Sequence, residues 1–175
     1  RMDGWQRRLA VRTGRDTGIR SFEYPQIRPK DIRRSPDGET YLMHIERGKD
    51  TEKGVGKSRD VPIPSELERE LYRFSQERGL ADDEPFFDVH EKTIQQWVKD
   101  AALLLAEETG NDDWEKVSSH DLRRYWGHTL LRRRGINPQA LCQAGGWSDV
   151  EQMLTYLTEL DDREVVSAFK EVEWV

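Results

Sequence analysis

The chain has 175 residues, of which 35 % are hydrophobic and 35 % charged, and its formal net charge is −6. That length predicts one domain over 1–175, and six Trp, five Phe and five Tyr supply large side chains for a core. No apolar run is long enough to cross a membrane and no secretory signal opens the chain, so membranes are excluded as partners. The single cysteine, Cys142, excludes an internal disulfide and is typical of a reducing cytoplasm. Because the sequence begins at Arg1 without an initiator Met, we expect it to be a piece of a longer protein.

The charges are distributed unevenly along the chain. Segments 1–34 and 118–147 carry net charges of +6 and +4, whereas 61–117 and 148–175 carry −9 and −6. Two interpretations stay open: a basic face that attracts nucleic acid, with acidic surfaces elsewhere for solubility, or uneven scatter in a highly charged protein.

The first part of the chain predicts two helices and three strands. Apolar spacing predicts a helix from Trp5 to about Gly14, followed by a short helix over 20–24 that stops before Pro25. Pro62 indicates that the third strand lies at a sheet edge. The strand-prone runs are 31–34, 40–45 and 59–63; a turn at 35–38 separates the first two, and a long lysine-bearing hairpin loop separates the last two.

The rest of the chain is predicted to be helical. Ser65 and Ser148 each have a glutamate three residues later, which is typical of capping boxes at helix starts, and Ser119 is a third candidate cap. The predicted helices cover 65–78, 92–109, 120–134, 137–144, a segment after Ser148, and 161–171, with an acidic loop over 110–117.

Arg20 follows Thr17-Gly18-Ile19, where the glycine allows a sharp turn that directs the arginine outward. A guanidinium stays charged and offers a planar set of donors that matches two phosphate oxygens. Glu23 lies three residues later and can fix the Arg20 side chain.

His120 and Arg123 are spaced i, i+3 on one predicted helix, so both project from the same face. The pair can place a proton acceptor and a cation against one anion near a helix N-terminus, which itself favours anions. Arg124 points about 100° away from Arg123, and we expect it to be structural or to contact DNA.

Tyr156 lies nine residues after Trp147 in Gly146-Trp147-Ser148. An indole can donate its N–H to an oxygen but cannot shuttle a proton. A phenol normally loses its proton near pH 10, so a tyrosine nucleophile at neutral pH needs a base or a strong positive potential. His120 and the two arginines can supply both.

In this order, the segments resemble the catalytic domain of the tyrosine recombinases, also called the phage integrase family. Segment 17–23 looks like the box that carries the first catalytic arginine, and 120–124 closely matches the second box. Trp147 stands where many members carry histidine, which is a departure that some members share. The resemblance runs from about residue 5 to 160 and is specific in its combination of boxes rather than in any one of them.

The resemblance implies an α+β, mainly α fold, in which a helical catalytic domain carries a small antiparallel three-stranded sheet at one edge. It implies that Tyr156 attacks a DNA phosphate to give a 3′-phosphotyrosine and a free 5′-hydroxyl, without ATP, metal or other cofactor. His120 would take the tyrosine proton, and Arg20, Arg123 and Trp147 would bind the phosphate oxygens. Lys49 in the hairpin loop is expected to be the general acid, with Lys53 and Lys57 as rivals.

Double-stranded DNA is the partner that the resemblance implies, together with assembly into a tetramer on DNA through the C-terminal tail at 160–175. That tail contains Phe169 and Trp174; packing on its own domain is the alternative, and the isolated chain can be a monomer. The separate helical domain that clamps DNA in the family is expected upstream of this chain. The expected DNA contacts are Arg33, Arg34, Lys53, Lys57, Arg59 and Arg124.

Three other functions stay open on the sequence: a type IB topoisomerase, an inactive DNA-binding relative, and a metal-dependent nuclease. The compact domain and short tail favour a recombinase over a topoisomerase, and the presence of all five principal residues counts against an inactive relative. The histidines show no metal-ligand spacing and Cys142 stands alone, so no metal site is expected.

Overall fold

A computed structural model describes residues 2–46, 58–157, 166 and 170. The fold is mainly helical with a small antiparallel three-stranded sheet, as expected. The helices are α1 (Met2–Thr17), α2 (Ser65–Arg78), α3 (Glu91–Thr109), α4 (Ser119–His128), α5 (Pro138–Gly145) and α6 (Val150–Leu157). Short 3₁₀ helices cover Ser21–Gln26, Pro29–Asp31 and Asp112–Lys116, and a π-helical turn covers Thr129–Arg133.

The sheet has the order β1 (Ile32–Arg34), β2 (Tyr41–Ile45), β3 (Arg59–Ile63), with both pairs antiparallel. Pro62 therefore lies on an edge strand, as predicted, where its missing N–H costs no ladder bond. The β1–β2 turn closes with the Gly38 N–H donating to the Ser35 carbonyl at 2.9 Å. The buried face of the sheet consists of Met43, Ile45, Val61 and Ile63.

Helix α1 packs against α2, α3 and α4, and β3 packs against α5. The predicted end of α1 at Gly14 is wrong: the helix continues to Thr17. The Tyr24 hydroxyl, which donates to the Ala10 carbonyl at 2.9 Å, lies where a Cβ on Gly14 would stand. Gly14 thus serves close packing inside the helix rather than ending it.

Several predicted helix ends shift because a neighbouring residue provides the cap. Ser118 caps α4 instead of Ser119, and its backbone N–H and hydroxyl both donate to Asp121, at 2.9 and 2.6 Å. At α6, the Asp149 carboxylate accepts from the Gln152 N–H at 2.6 Å, so Ser148 is not the cap. Pro64, not Ser65, is the N-cap of α2.

Two predicted helices differ in kind or extent. The helix expected over 120–134 ends as α-helix at His128 and continues as the π-helical turn to Arg133. The short helix expected to stop before Pro25 is a 3₁₀ helix that includes Pro25. The helix predicted over 161–171 lies outside the described residues, apart from Val166 and Lys170, which are helical.

Within the described ranges, no helix is both long and apolar enough to cross a membrane.

Gly18 joins α1 to the Arg20 segment and has no room for a side chain. Its φ is +62°, and a Cβ there would overlap the Trp126 ring of α4. Gly38 has a similar φ of +75°, but no described atom lies within 4 Å of an added Cβ.

Replacing these two glycines separates backbone strain from steric overlap. We expect Gly38→Ala to lower the free energy of unfolding by about 1–2 kcal/mol, the cost of a left-handed conformation with a Cβ. Gly18→Ala adds an overpacking cost, for a total of about 2–5 kcal/mol. Urea denaturation of both variants measures the difference, and equal losses would contradict the steric account.

Candidate active site

The structure brings five of the predicted residues together from separate parts of the chain. Two come from α4, one from the segment after α1, one from the α5–α6 connection and one from α6; they are Arg20, His120, Arg123, Trp147 and Tyr156.

Arg123 is the most deeply placed cation of this site, with 2 % of its surface exposed. Its Nη1 donates to the Gly18 carbonyl and its Nη2 to the Gly145 carbonyl, both at 2.7 Å. Burial, and then the charges of Arg20 and Arg59, lower the pKa of Arg123 to about 9. Arg123 therefore remains a cation at neutral pH, and it is one whose charge is little screened by water.

Three arginines bind three consecutive carbonyls where α5 ends. Arg59 Nε donates to Ala144 O at 2.9 Å, Arg123 Nη2 to Gly145 O at 2.7 Å, and Arg20 Nη2 to Gly146 O at 3.2 Å. Carbonyls at a helix C-terminus lack intrahelical partners and carry the negative end of the helix dipole. This end of α5 therefore both satisfies its carbonyls and holds the cations close together.

Glu23 is fully buried beneath the arginines and accepts four hydrogen bonds. Arg59 donates from Nη1 and Nη2 at 2.8 and 2.9 Å, and Arg20 donates from its backbone N–H at 2.7 Å and from Nη1 at 3.3 Å. Burial alone would raise the pKa of Glu23, but the hydrogen bonds and charges of Arg59 and Arg20 outweigh it and lower that pKa. Glu23 is therefore an anion that anchors the arginine network.

Tyr156 and His120 form a direct pair, with 2.8 Å between the tyrosine Oη and the histidine Nε2. Burial, followed by the charges of Arg123 and Arg124, lowers the pKa of His120 below its ordinary value of 6.5. Burial raises the pKa of Tyr156, although Arg123 and Arg124 act in the opposite direction. At neutral pH both groups are thus uncharged. When the His120 proton is on Nδ1, Nε2 accepts the hydrogen bond from the phenol O–H and can take its proton.

Trp147 is half-buried between the other members of the site. Its ring stacks on Trp126 with centroids 6.2 Å apart, and the Arg123 guanidinium carbon lies 3.9 Å from its centroid. The Tyr156 ring is 6.0 Å away on centroids. The sequence suggested only an N–H donor here, whereas the structure shows that the indole also covers Arg123 and contacts the tyrosine.

Of the two arginines near the site that were expected to contact DNA, Arg59 is buried and Arg124 is exposed. Arg59 has only 4 % of its side chain exposed and is bound to Glu23 and Ala144, so it is a buried network member rather than a surface contact. Arg124 is exposed, and its guanidinium lies 5.3 Å from the Tyr156 ring centroid. It is four residues after His120 on α4, so the two side chains share a helix face beside Tyr156.

The remaining expected residues are on the sheet or outside the described chain. Arg33 is half-exposed and pairs with Asp60 at 2.7 Å, while Arg34 lies over the Tyr41 ring and donates to the Gly38 carbonyl. The three lysines proposed for the hairpin loop, Lys49, Lys53 and Lys57, lie outside the described residues.

Across 2–46 and 58–157, no group of three or more His, Cys, Asp or Glu side chains is arranged to hold a metal ion. Cys142 is buried, its thiol lies 3.5 Å from the Trp147 carbonyl, and burial raises its pKa, so it contributes packing rather than a thiolate.

The environment of His120 predicts an acid-shifted titration in the free protein. We expect its pKa to lie below 6.5, and to rise towards 6.5 in Arg124→Gln, which removes one of the charges that lower it. Arg132→Gln is the matched control, because Arg132 is also an exposed arginine of this region but is not among the charges that act on His120. NMR titration of the imidazole signals measures these values; equal shifts in both variants would contradict the assignment.

The chain matches the model of the phage integrase family over residues 2–163. No curated protein sequence matches it significantly. Among solved structures, it is similar to the XerA recombinase, with 19 % identity, a TM-score of 0.67, and coverage of 95 % of this chain and 62 % of that one. The XerH site-specific recombinase in a post-cleavage complex gives 22 % identity, a TM-score of 0.70, and coverage of 97 % and 46 %. The Tn1549 transposon integrase with transposon right end DNA gives 15 % identity, a TM-score of 0.69, and coverage of 94 % and 58 %.

These likenesses concern one part of the larger proteins. The chain spans between about half and three-fifths of the length of these solved structures. At such identities the structural likeness establishes the fold, whereas the family match extends over nearly all of the sequence. The chain therefore belongs to the phage integrase family.

Proposed function

We propose that residues 1–175 form the catalytic domain of a tyrosine-type site-specific DNA recombinase, with Tyr156 as the nucleophile. The observation that carries this proposal is the Tyr156–His120 hydrogen bond beside the Arg20 and Arg123 cations. The structural neighbours add support, since the XerH structures are described as bound to difH substrate and the Tn1549 integrase as bound to transposon DNA.

In the proposed reaction, the Tyr156 oxygen attacks the scissile phosphorus and His120 takes the phenol proton. The bond to the 5′-oxygen breaks, which leaves a 3′-phosphotyrosine and a 5′-hydroxyl. Lys49, with Lys53 and Lys57 as the alternatives, supplies the proton to the leaving oxygen. Attack by a 5′-hydroxyl from another strand reverses these steps and releases the tyrosine, so the phosphate bond is conserved without ATP.

The charge of the site suits this transition state. Arg20, Arg59 and Arg123 carry three positive charges against the one negative charge of Glu23, which leaves two uncompensated positive charges. A phosphodiester brings one negative charge and gathers more on its equatorial oxygens as the nucleophile bonds. Donors fixed in advance in a half-buried site stabilise that charge without reorganisation.

The neutral tyrosine is consistent with the proposed role of His120. Burial raises the pKa of Tyr156, so a free phenolate is scarce at neutral pH and the proton has to leave as the phosphorus is attacked. His120, held neutral by its lowered pKa, can accept that proton at the 2.8 Å separation of the pair. In this proposal the Tyr156 oxygen loses its proton to His120 while it bonds to the phosphorus, so both changes occur at the same oxygen.

The proposed partner is double-stranded DNA, contacted by the exposed Arg33, Arg34 and Arg124 and by the hairpin lysines. We further propose assembly into a tetramer on DNA through the C-terminal tail at 160–175, with a monomer in its absence. The cytoplasm is the proposed compartment, where DNA is accessible and a single thiol such as Cys142 stays reduced.

A suicide substrate tests the proposed nucleophile. The full-length protein is mixed, in EDTA, with a nicked duplex from the genetic element that encodes it, because the nick lets the cleaved fragment diffuse away and traps the covalent adduct. We expect a protein–DNA band on a denaturing gel that is absent in Tyr156→Phe. Absence of the band on DNA that the protein demonstrably binds would contradict the proposal and favour an inactive DNA-binding relative.

The outcome after cleavage distinguishes recombination from strand passage. A recombinase joins the cleaved strand to a second duplex that carries a matching site, whereas a type IB topoisomerase reseals the same strand and relaxes supercoiled plasmid. Relaxation without any joining between duplexes would favour the topoisomerase function.

Trp147 variants test whether the indole acts as a donor. We expect Trp147→Phe, which keeps an aromatic ring over Arg123 but has no N–H, to slow adduct formation by about 10²-fold, as for loss of one transition-state donor. Trp147→His retains an N–H donor and should lose less. Rates are compared at saturating DNA and with matched unfolding temperatures; equal losses in the two variants would assign Trp147 a packing role alone.

A further inference from the structure

We infer that Arg59 is a positioning residue of this site: it fixes Glu23 and the end of α5, and through Glu23 it holds the Arg20 guanidinium towards the scissile phosphate. This inference rests on the proposed function, because the phosphate is the group that Arg20 has to meet. The sequence predicted that Arg59 contacts DNA, whereas the fold buries its side chain.

The Arg59 guanidinium is bonded on two sides. Nη1 and Nη2 form a two-pronged pair with the Glu23 carboxylate at 2.8 and 2.9 Å, while Nε donates to the Ala144 carbonyl at 2.9 Å. Only 4 % of the side chain is exposed, and Glu23 is fully buried. Such a planar pair fixes orientation as well as distance, which a lysine cannot reproduce.

Glu23 in turn holds Arg20 at two points. The Arg20 backbone N–H donates to Glu23 Oε2 at 2.7 Å, and Arg20 Nη1 donates to Oε1 at 3.3 Å. The two hydrogen bonds from the Arg59 side chain to this carboxylate are shorter than the one from the Arg20 side chain. The orientation of the carboxylate is therefore set mainly by Arg59. Without Arg59, a fully buried carboxylate would lose its two shortest side-chain hydrogen bonds, and buried charges are costly when their partners are removed.

Arg59 also braces the turn that leads to Trp147. A Cβ on Gly146 would lie 2.9 Å from Arg59 Cδ, so the chain passes directly against the arginine stem. The same turn provides the Gly145 and Gly146 carbonyls that bind Arg123 and Arg20. Arg59 therefore contacts Ala144 and Gly146, the two neighbours of Gly145, without reaching the surface itself.

Arg59 is the first residue of β3, where it pairs with Ile45 of β2. It stands two residues after Lys57, at the end of the hairpin whose lysines are the proposed acids. Its anchoring to Glu23 and Ala144 thus fixes the start of β3.

The test uses the full-length protein and three changes. Arg59→Lys keeps the charge but loses the planar pair, Arg59→Met keeps the length but loses the charge, and Glu23→Gln with Arg59→Met removes both charges together. The double variant removes both charges of the buried Arg59–Glu23 pair, so neither is left unpaired. It can therefore be assayed even if Arg59→Met alone fails to fold. Arg12→Met is the matched control, since Arg12 is also ion-paired, with Asp16 and Glu70, but lies outside the network.

For each variant we measure three quantities: the single-turnover rate of Tyr156 adduct formation at saturating DNA, the DNA affinity and the unfolding temperature. We expect the Arg59 variants to slow adduct formation by about 10–10²-fold, the scale of a misplaced reacting group, with DNA affinity changed less than about threefold. Arg12→Met should stay within about twofold of the wild-type rate.

Dependence on Arg20 separates positioning from a general loss of structure. If Arg59 acts through Arg20, then adding Arg59→Lys to Arg20→Ala should slow the reaction little further, by less than about threefold, because the two changes remove one function. A structural defect would impose its full loss in both backgrounds, and that result would overturn the inference.

The inference and the proposed function fail in different ways. If the wild-type protein forms no Tyr156-dependent adduct on DNA that it binds, the proposed function is overturned. If the wild-type protein forms the adduct and all the Arg59 variants form it at the same rate, the proposed function stands and the positioning role of Arg59 is overturned.

Discussion

The site depends on the end of one short helix. Helix α5 ends in three carbonyls that bind Arg59, Arg123 and Arg20 in turn, and Glu23 lies beneath them. Three cations this close would repel one another in a half-buried place, and only a concentration of negative partial charge makes the arrangement tenable. The helix end provides this negative partial charge. A second carboxylate would instead cancel part of the positive charge that is proposed to bind a phosphate. The packing around α5 is therefore an electrostatic requirement as much as a steric one.

That arrangement also sets the protonation of the neighbouring pair. Burial, followed by the charges of Arg123 and Arg124, lowers the pKa of His120, whereas burial raises the pKa of Tyr156 despite those charges. The two shifts keep a neutral donor beside a neutral acceptor, which stores a transferable proton without placing a phenolate in the resting protein. Arg123, which would bind the phosphate, thus also helps burial to keep the proposed base unprotonated.

The features of the fold and site that depend on residues close together in the chain could be predicted from the sequence. Strand-prone runs and turn residues predicted the three strands, and i, i+3 spacing put His120 and Arg123 on one face of α4. The roles of Gly14 and Arg59 were missed, since both depend on partners distant in the chain: the Tyr24 hydroxyl for Gly14, and Glu23 with Ala144 for Arg59. An arginine at the start of an edge strand looks like a surface residue unless its buried carboxylate is known. The π-helical turn after His128 and the choice of Ser118 over Ser119 as cap likewise depend on packing and side-chain geometry that periodicity does not carry.

The bonds of Arg123 and Arg20 to the backbone span long stretches of chain: Arg123 reaches Gly18 across 105 residues, and Arg20 reaches Gly146 across 126. Contacts of that separation form only after nearly the whole domain has closed, because each requires the intervening chain to be ordered first. A molecule halted partway through folding therefore holds Tyr156 without these two arginines fixed beside it. The complete site is assembled at a late stage of folding, and a partly folded molecule does not present it.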